Sequence, residues 1–97
     1  MTADSTLIAA AKKAGRITTN EFDSEVERLL NASFLDMGVA GVVAENADPL
    51  IEQAAITYFL LHFGEPDNYD RLERSYNEQK AQLATHTGHT VWTVNNG

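Results

Sequence analysis

The chain has 97 residues, 43% of them apolar, with seven Lys and Arg against fourteen Asp and Glu, a formal net charge of -7. That length accommodates one domain with a single small core and a radius of gyration of about 12 to 13 Å. The acidic excess disfavours a free-standing DNA-binding domain, because duplex grip relies on cations that neutralise phosphates. No cysteine is present, which excludes disulfides, thiolate metal sites and a Cys nucleophile. An acid near the N-terminus where a signal peptide would carry cations, and no apolar run of about 18 to 20 residues, predict a protein that is neither exported nor membrane-embedded. Asn31-Ala32-Ser33 matches a glycosylation triplet but sits inside a helical pattern and carries no weight.

The punctuation by Gly and Pro predicts four helices in a small all-α antiparallel bundle, residues 1–84, followed by an extended, β-prone tail, residues 85–97. The first helix is predicted from Thr6 to Ala14, with Asp4 or Ser5 as cap and Gly15 as the left-handed residue that ends it. Leu7, Ile8, Ala11 and Ala14 share a face, while Lys12, Lys13 and Arg16 gather at the C-terminal end, where cations complement the helix dipole.

Thr18 and Glu21 have the spacing of a capping box, which predicts the start of a second helix ended by Gly38. Phe22, Val26, Leu29, Leu30, Ser33 and Met37 recur at helical intervals. The opposite face is acidic, with Asp23, Glu25 and Glu27, Asp36 near the end, and Arg28 the only cation. Acids in a first turn stabilise the helix by themselves, so Glu21 and Asp23 have an ordinary explanation; Glu25 and Glu27 have less of one. Residues 38–47 read as a semi-buried loop, and Gly38 and Gly41 do not make a phosphate loop, since neither Lys nor a following Ser or Thr helix start accompanies them.

Asp48-Pro49 opens the third helix. Leu50, Ile51, Ala54, Ala55, Ile56, Tyr58, Phe59, Leu60, Leu61 and Phe63 leave it little polar circumference, which predicts a central helix of about 15 residues and some 22 Å. Gly64 and Pro66 close it. The fourth helix starts near Asp67 or Asn68, aligns Tyr69, Leu72, Tyr76 and Leu83, and is otherwise charged. From Ala84 onward there is no charged side chain, and Thr90-Val91-Trp92-Thr93-Val94 needs a partner to supply its hydrogen bonds.

Chemistry is thinly represented. His86 and His89 lack the third and fourth ligands a zinc site requires, and His62 beside Tyr58 and Phe59 reads as a structural helix residue. Ten residues of helix separate Glu52 from His62 by about 15 Å, too far for acid-base work on one atom. No nucleophile elbow, dinucleotide fingerprint, phosphate loop or HExxH motif occurs, so no enzyme, cofactor, metal or small-molecule substrate is expected. A helix-turn-helix built on the first two helices would present Asp23, Glu25 and Glu27 to phosphate, which repulsion strongly disfavours.

The run Thr19-Asn20-Glu21-Phe22-Asp23-x-Glu25, then Leu29-Leu30-x-Ala32, Asp36-x-Gly38, Asp48-Pro49-Leu50-Ile51-x-x-Ala54-x-x-x-Tyr58, Phe63-Gly64 and Tyr76-x-x-x-Lys80-x-x-Leu83 resembles the small head-tail connector proteins of tailed bacteriophages. It covers roughly residues 6–83, and its motifs are mostly structural. The resemblance implies an all-helical virion subunit, made in the bacterial cytoplasm, that forms a ring of about a dozen copies below the portal and extends the DNA channel. It implies as partners the portal protein, a further head-tail joining protein, and duplex DNA that passes without tight binding. A carboxylate-lined lumen would repel the duplex, which makes Asp23, Glu25 and Glu27 the candidate channel-lining or inter-subunit acidic face. Ring closure needs two different complementary surfaces, and Lys12, Lys13 and Arg16 are the candidate basic face opposite a neighbour's acids. Val91, Trp92 and Val94 are candidates for docking the tail on a partner, with Trp92 the anchor. The alternative from the residues alone is a monomeric acidic module that mimics DNA and inhibits a nucleic-acid enzyme.

Overall fold

A computed structural model of the protein describes residues 2–39, 49–64 and 67–85. They form four helices: α1 (Ser5–Ala14), α2 (Asp23–Met37), α3 (Pro49–His62) and α4 (Tyr69–Thr85). The fold is all-α, with no strand among the described residues. The β-prone tail with Val91, Trp92 and Val94, the tail histidines, most of the 38–47 loop, the Asp48 cap and Pro66 lie outside the described residues.

Helix α1 starts where the sequence predicts, because Asp4 Oδ1 accepts a 2.8 Å hydrogen bond from the Leu7 amide. Leu7 and Ala11 are its buried face, whereas Ala14 is exposed. The left-handed residue at its end is Arg16 (φ 58°), not Gly15 (φ -88°). Gly15 serves a different need: a Cβ there would meet Phe59 Cε2 at 3.2 Å, so the missing side chain lets the end of α1 close on α3. The N-terminal segment is fastened to α2 by the Ala3 amide, which donates to Asn31 Oδ1 at 2.7 Å.

Helix α2 begins at Asp23, beyond the predicted capping box, and has no side-chain cap. Thr19 Oγ1 instead accepts from the Glu21 amide at 3.1 Å, two residues on, which makes a local turn. Phe22, 39% exposed, occupies the cap position with its ring edge-on to Phe63, centroids 5.6 Å apart. Val26, Leu29, Leu30, Ser33, Phe34 and Met37 face the core. Ser33 resolves its buried hydroxyl by donating to the Leu30 carbonyl at 2.5 Å. Gly38 adopts the left-handed conformation (φ 76°) that ends the helix, and the Gly38 and Val39 amides reach back to the Leu35 and Phe34 carbonyls.

Helix α3 is the spine the pattern predicts and packs against α1, α2 and α4. Ile51, Ala54, Ala55 and Phe59 are fully buried on it. Thr57, also buried, donates from Oγ1 to the Gln53 carbonyl at 3.0 Å. Each fully buried large side chain, Phe34, Phe59, Leu30 and Ile51 among them, contributes about 1.5 to 3 kcal/mol relative to exposure. Gly64 (φ 68°) turns the chain towards α4, whose first turn is entered by the Leu72 amide donating to the Asn68 carbonyl. On α4 only Tyr76 and Leu83 of the predicted stripe are buried; Leu72 is half-buried and Tyr69 exposed.

Candidate functional site

The predicted charged residues divide into those the chain consumes internally and those it leaves at the surface. Lys12 Nζ lies 2.8 Å from Asp23 Oδ1, and donates to Asn20 Oδ1 at 2.8 Å. Its side chain is only 16% exposed, so this pair fastens the end of α1 to the start of α2 within one subunit. Lys13 and Arg16 are exposed and form no ion pair among the described residues. With Ala9, Lys12, Ile17 and Thr18 they line a shallow cationic depression at the end of α1.

Glu21, Glu25 and Glu27 are exposed around the first turns of α2. Glu25 meets Arg28 at 3.5 Å, a solvent-screened contact that leaves the face acidic. Lys12 and Asp23, one from each of the two expected charged faces, pair with each other within the subunit.

A second constellation joins the end of α2 to α4. Tyr76 donates from its hydroxyl to Asp36 Oδ2 at 2.5 Å, and Lys80 Nζ donates to the same oxygen at 3.1 Å. The Lys80 ammonium also lies 5.3 Å from the centroid of the Tyr76 ring. Tyr58 packs against Tyr76 on one side (5.3 Å) and His62 on the other (4.3 Å). The Tyr76 hydrogen bond, with help from Lys80, holds the Asp36 carboxyl below the ordinary carboxylate range against the opposing effect of burial. Burial, then the hydrogen bond to Asp36 and its charge, pushes the Tyr76 hydroxyl well above the ordinary phenol range. A carboxylate held ionised by two donors, and a phenol held protonated, form a structural lock and are poorly matched to proton transfer near neutral pH. Sequence reading finds Asp36, Tyr76 and Lys80 individually; their convergence depends on how α2 and α4 lie against α3.

A third feature has no counterpart in the sequence reading. Leu35, in the last turn of α2, is 72% exposed. Across the molecule, Gly15, Arg16, Leu60, Phe63, Asp67 and Leu72 border a groove of about 720 Å³ between the end of α1, the end of α3 and the entry to α4.

Among the described residues there is no cluster of three or more His, Asp or Glu side chains placed to hold a metal ion, and no helix long and apolar enough to cross a membrane. No family model, curated protein or solved structure matches the chain.

Proposed function

We propose that the chain is a structural subunit of a bacteriophage head-tail connector, which acts by assembling head to tail into a ring below the portal protein and so lengthens the channel for DNA. The observation that carries this reading is that one small helical subunit exposes a cationic group and an acidic group that do not neutralise each other. Exposed Lys13 and Arg16 close α1, while exposed Glu21, Glu25 and Glu27 open α2, and no intrachain ion pair joins the two groups among the described residues. Exposed groups of opposite sign that stay unneutralised within the subunit can pair between neighbours in a heterologous, ring-forming interface. The resemblance across residues 6–83, and an all-α fold that suits it, support the same reading.

In this assembly Glu25 and Glu27 serve either the lumen or the neighbour's cationic end. Facing the lumen, they repel phosphate and let the duplex slide; facing the neighbour, they orient Lys13 and Arg16. Asp23 and Lys12 act within the subunit by fixing the angle between α1 and α2. The tail with Val91, Trp92 and Val94 docks on the portal or on the next joining protein. The work is done in the virion and by assembly alone, without catalysis or a cofactor.

Light scattering after size exclusion, across protein concentration and with the portal protein of the same phage, tests the proposal. A large closed oligomer, formed alone or on the portal, is the expected result. A persistent monomer that ignores the portal overturns it, and salt-sensitive binding of that monomer to a basic nucleic-acid enzyme would identify a DNA mimic instead.

A further inference from the structure

Resting on the connector reading, we infer that the groove between α1, α3 and α4 receives Leu35 from the α2 helix of a second copy of the chain, and that this contact fixes the register of the head-to-tail interface. Leu35 is the most exposed of the large apolar side chains among the described residues, at 72%, whereas Leu29, Leu30 and Phe34 on the same helix are buried. A leucine so exposed gains about 1.5 to 3 kcal/mol when fully covered. The groove offers the matching chemistry. Leu60, Phe63 and Leu72 are half-buried apolar side chains at its surface, and Gly15 adds no side chain to fill it.

Charge complementarity selects a copy of this chain as the occupant. Arg28 lies seven residues before Leu35, two turns back on the same helical face, about 10 Å away along the axis. It is well exposed and, among the described residues, pairs only with Glu25 at 3.5 Å. The groove carries the exposed carboxylate of Asp67, from the segment that enters α4. The other charged lining residue is Arg16, from the end of α1. A cation suits the partially negative carbonyl end of α2, and the last turn of that helix contains no basic residue of its own. Arg28 against Asp67, Leu35 against Leu60, Phe63 and Leu72, and Arg16 against the end of α2 form one continuous contact between two different faces. Such a contact propagates around a ring rather than closing a dimer.

The backbone at Arg16 is consistent with this use. A non-glycine residue held at φ 58° stores strain, and it places the guanidinium beside both the cationic depression and the groove.

The test uses the full chain, and its wild-type assembly formed alone or on the portal protein is the reference. Leu35→Glu weakens assembly by about tenfold or more while helicity by circular dichroism is unchanged, since the residue is a solvent-facing one. Arg28→Asp and Asp67→Arg each weaken assembly, and the two combined in one chain restore it. Because the chain has no cysteine, Leu35→Cys and Asn68→Cys chains can be mixed and oxidised; the mixed disulfide dominates over either homodimer. Wild-type assembly that persists in Leu35→Glu, or a predominant Leu35→Cys homodimer, overturns the groove contact and leaves the connector reading standing. Loss of portal binding alone in Leu35→Glu, with self-association intact, assigns this face to the portal and also overturns it. A wild-type chain that never assembles overturns both.

Discussion

Tyr76 and Asp36, forty residues apart, are joined by a 2.5 Å hydrogen bond that ties the middle of α4 to the last turn of α2. Both helices rest on α3, and this bond, with Lys80 on the same oxygen, spans the two of them directly. It gives α4 one fixed rotational setting, which its weakly apolar stripe alone would specify poorly.

Tyr76→Phe removes the donor and lowers stability by about 1 to 2 kcal/mol, measured by urea denaturation at neutral pH. The pH dependence follows from the sign of each shift. Asp36 is depressed in the folded chain, so its contribution is present above the unfolded carboxyl value of about 4 and is lost as pH falls through the folded value. The gap between wild type and Tyr76→Phe therefore narrows on acidification below about pH 4. Tyr76 is raised, so its contribution is complete below about pH 10 and declines above that, where wild type loses stability faster than the variant. A gap constant from pH 2 to 7 would refute the coupling.

Lys12 and Asp23 act within the subunit, so their effect belongs to folding. A double-mutant cycle of Lys12→Met and Asp23→Asn, read by thermal or urea unfolding at dilute protein, gives a coupling of about 0.5 to 1 kcal/mol. Lys13→Glu shifts unfolding by less than about 0.5 kcal/mol and acts on assembly instead. Equal unfolding effects at Lys12 and Lys13 would contradict the division.

The end of α1 predicts opposite signs for two adjacent substitutions. Gly15→Ala brings a methyl to 3.2 Å from the Phe59 ring and destabilises the fold by about 1 kcal/mol, despite a backbone that alanine tolerates. Arg16→Gly relieves the left-handed strain and stabilises by about 0.5 to 1 kcal/mol, while weakening self-association. Differential scanning calorimetry and light scattering on the same samples separate the two effects.

Charge reversal at Glu25 and Glu27 discriminates their roles in an assembled ring. If they line the lumen, the double Lys variant still assembles and acquires salt-sensitive duplex binding, with a slope that grows by about one per phosphate contacted. If they face a neighbour, assembly itself is lost, and Lys13→Glu restores it in the same chain. Fluorescence anisotropy of a labelled duplex, alongside light scattering, reads both arms.

Helix identity was legible because local rules and tertiary packing agree there. Asp4 caps α1, Gly38 ends α2 in the left-handed conformation, and the apolar girth of α3 marks the spine. Each of those signals is carried by residues within one or two turns of one another. The capping box at Thr18 and Glu21 is not used: the Thr19 hydroxyl accepts from the Glu21 amide instead, and α2 starts at Asp23. The left-handed position falls on Arg16, and Gly15 instead meets Phe59.

By itself, then, the sequence determined the all-α class, the order of the helices and the segregation of acids on α2 from bases at the end of α1, since composition and period are local properties. Only the tertiary structure decided which charges neutralise each other inside the subunit and how Asp36 meets Tyr76. Those outcomes depend on the rotation of each helix about its axis. That rotation is set by close contacts between residues far apart in the chain, and no spacing within one helix encodes it.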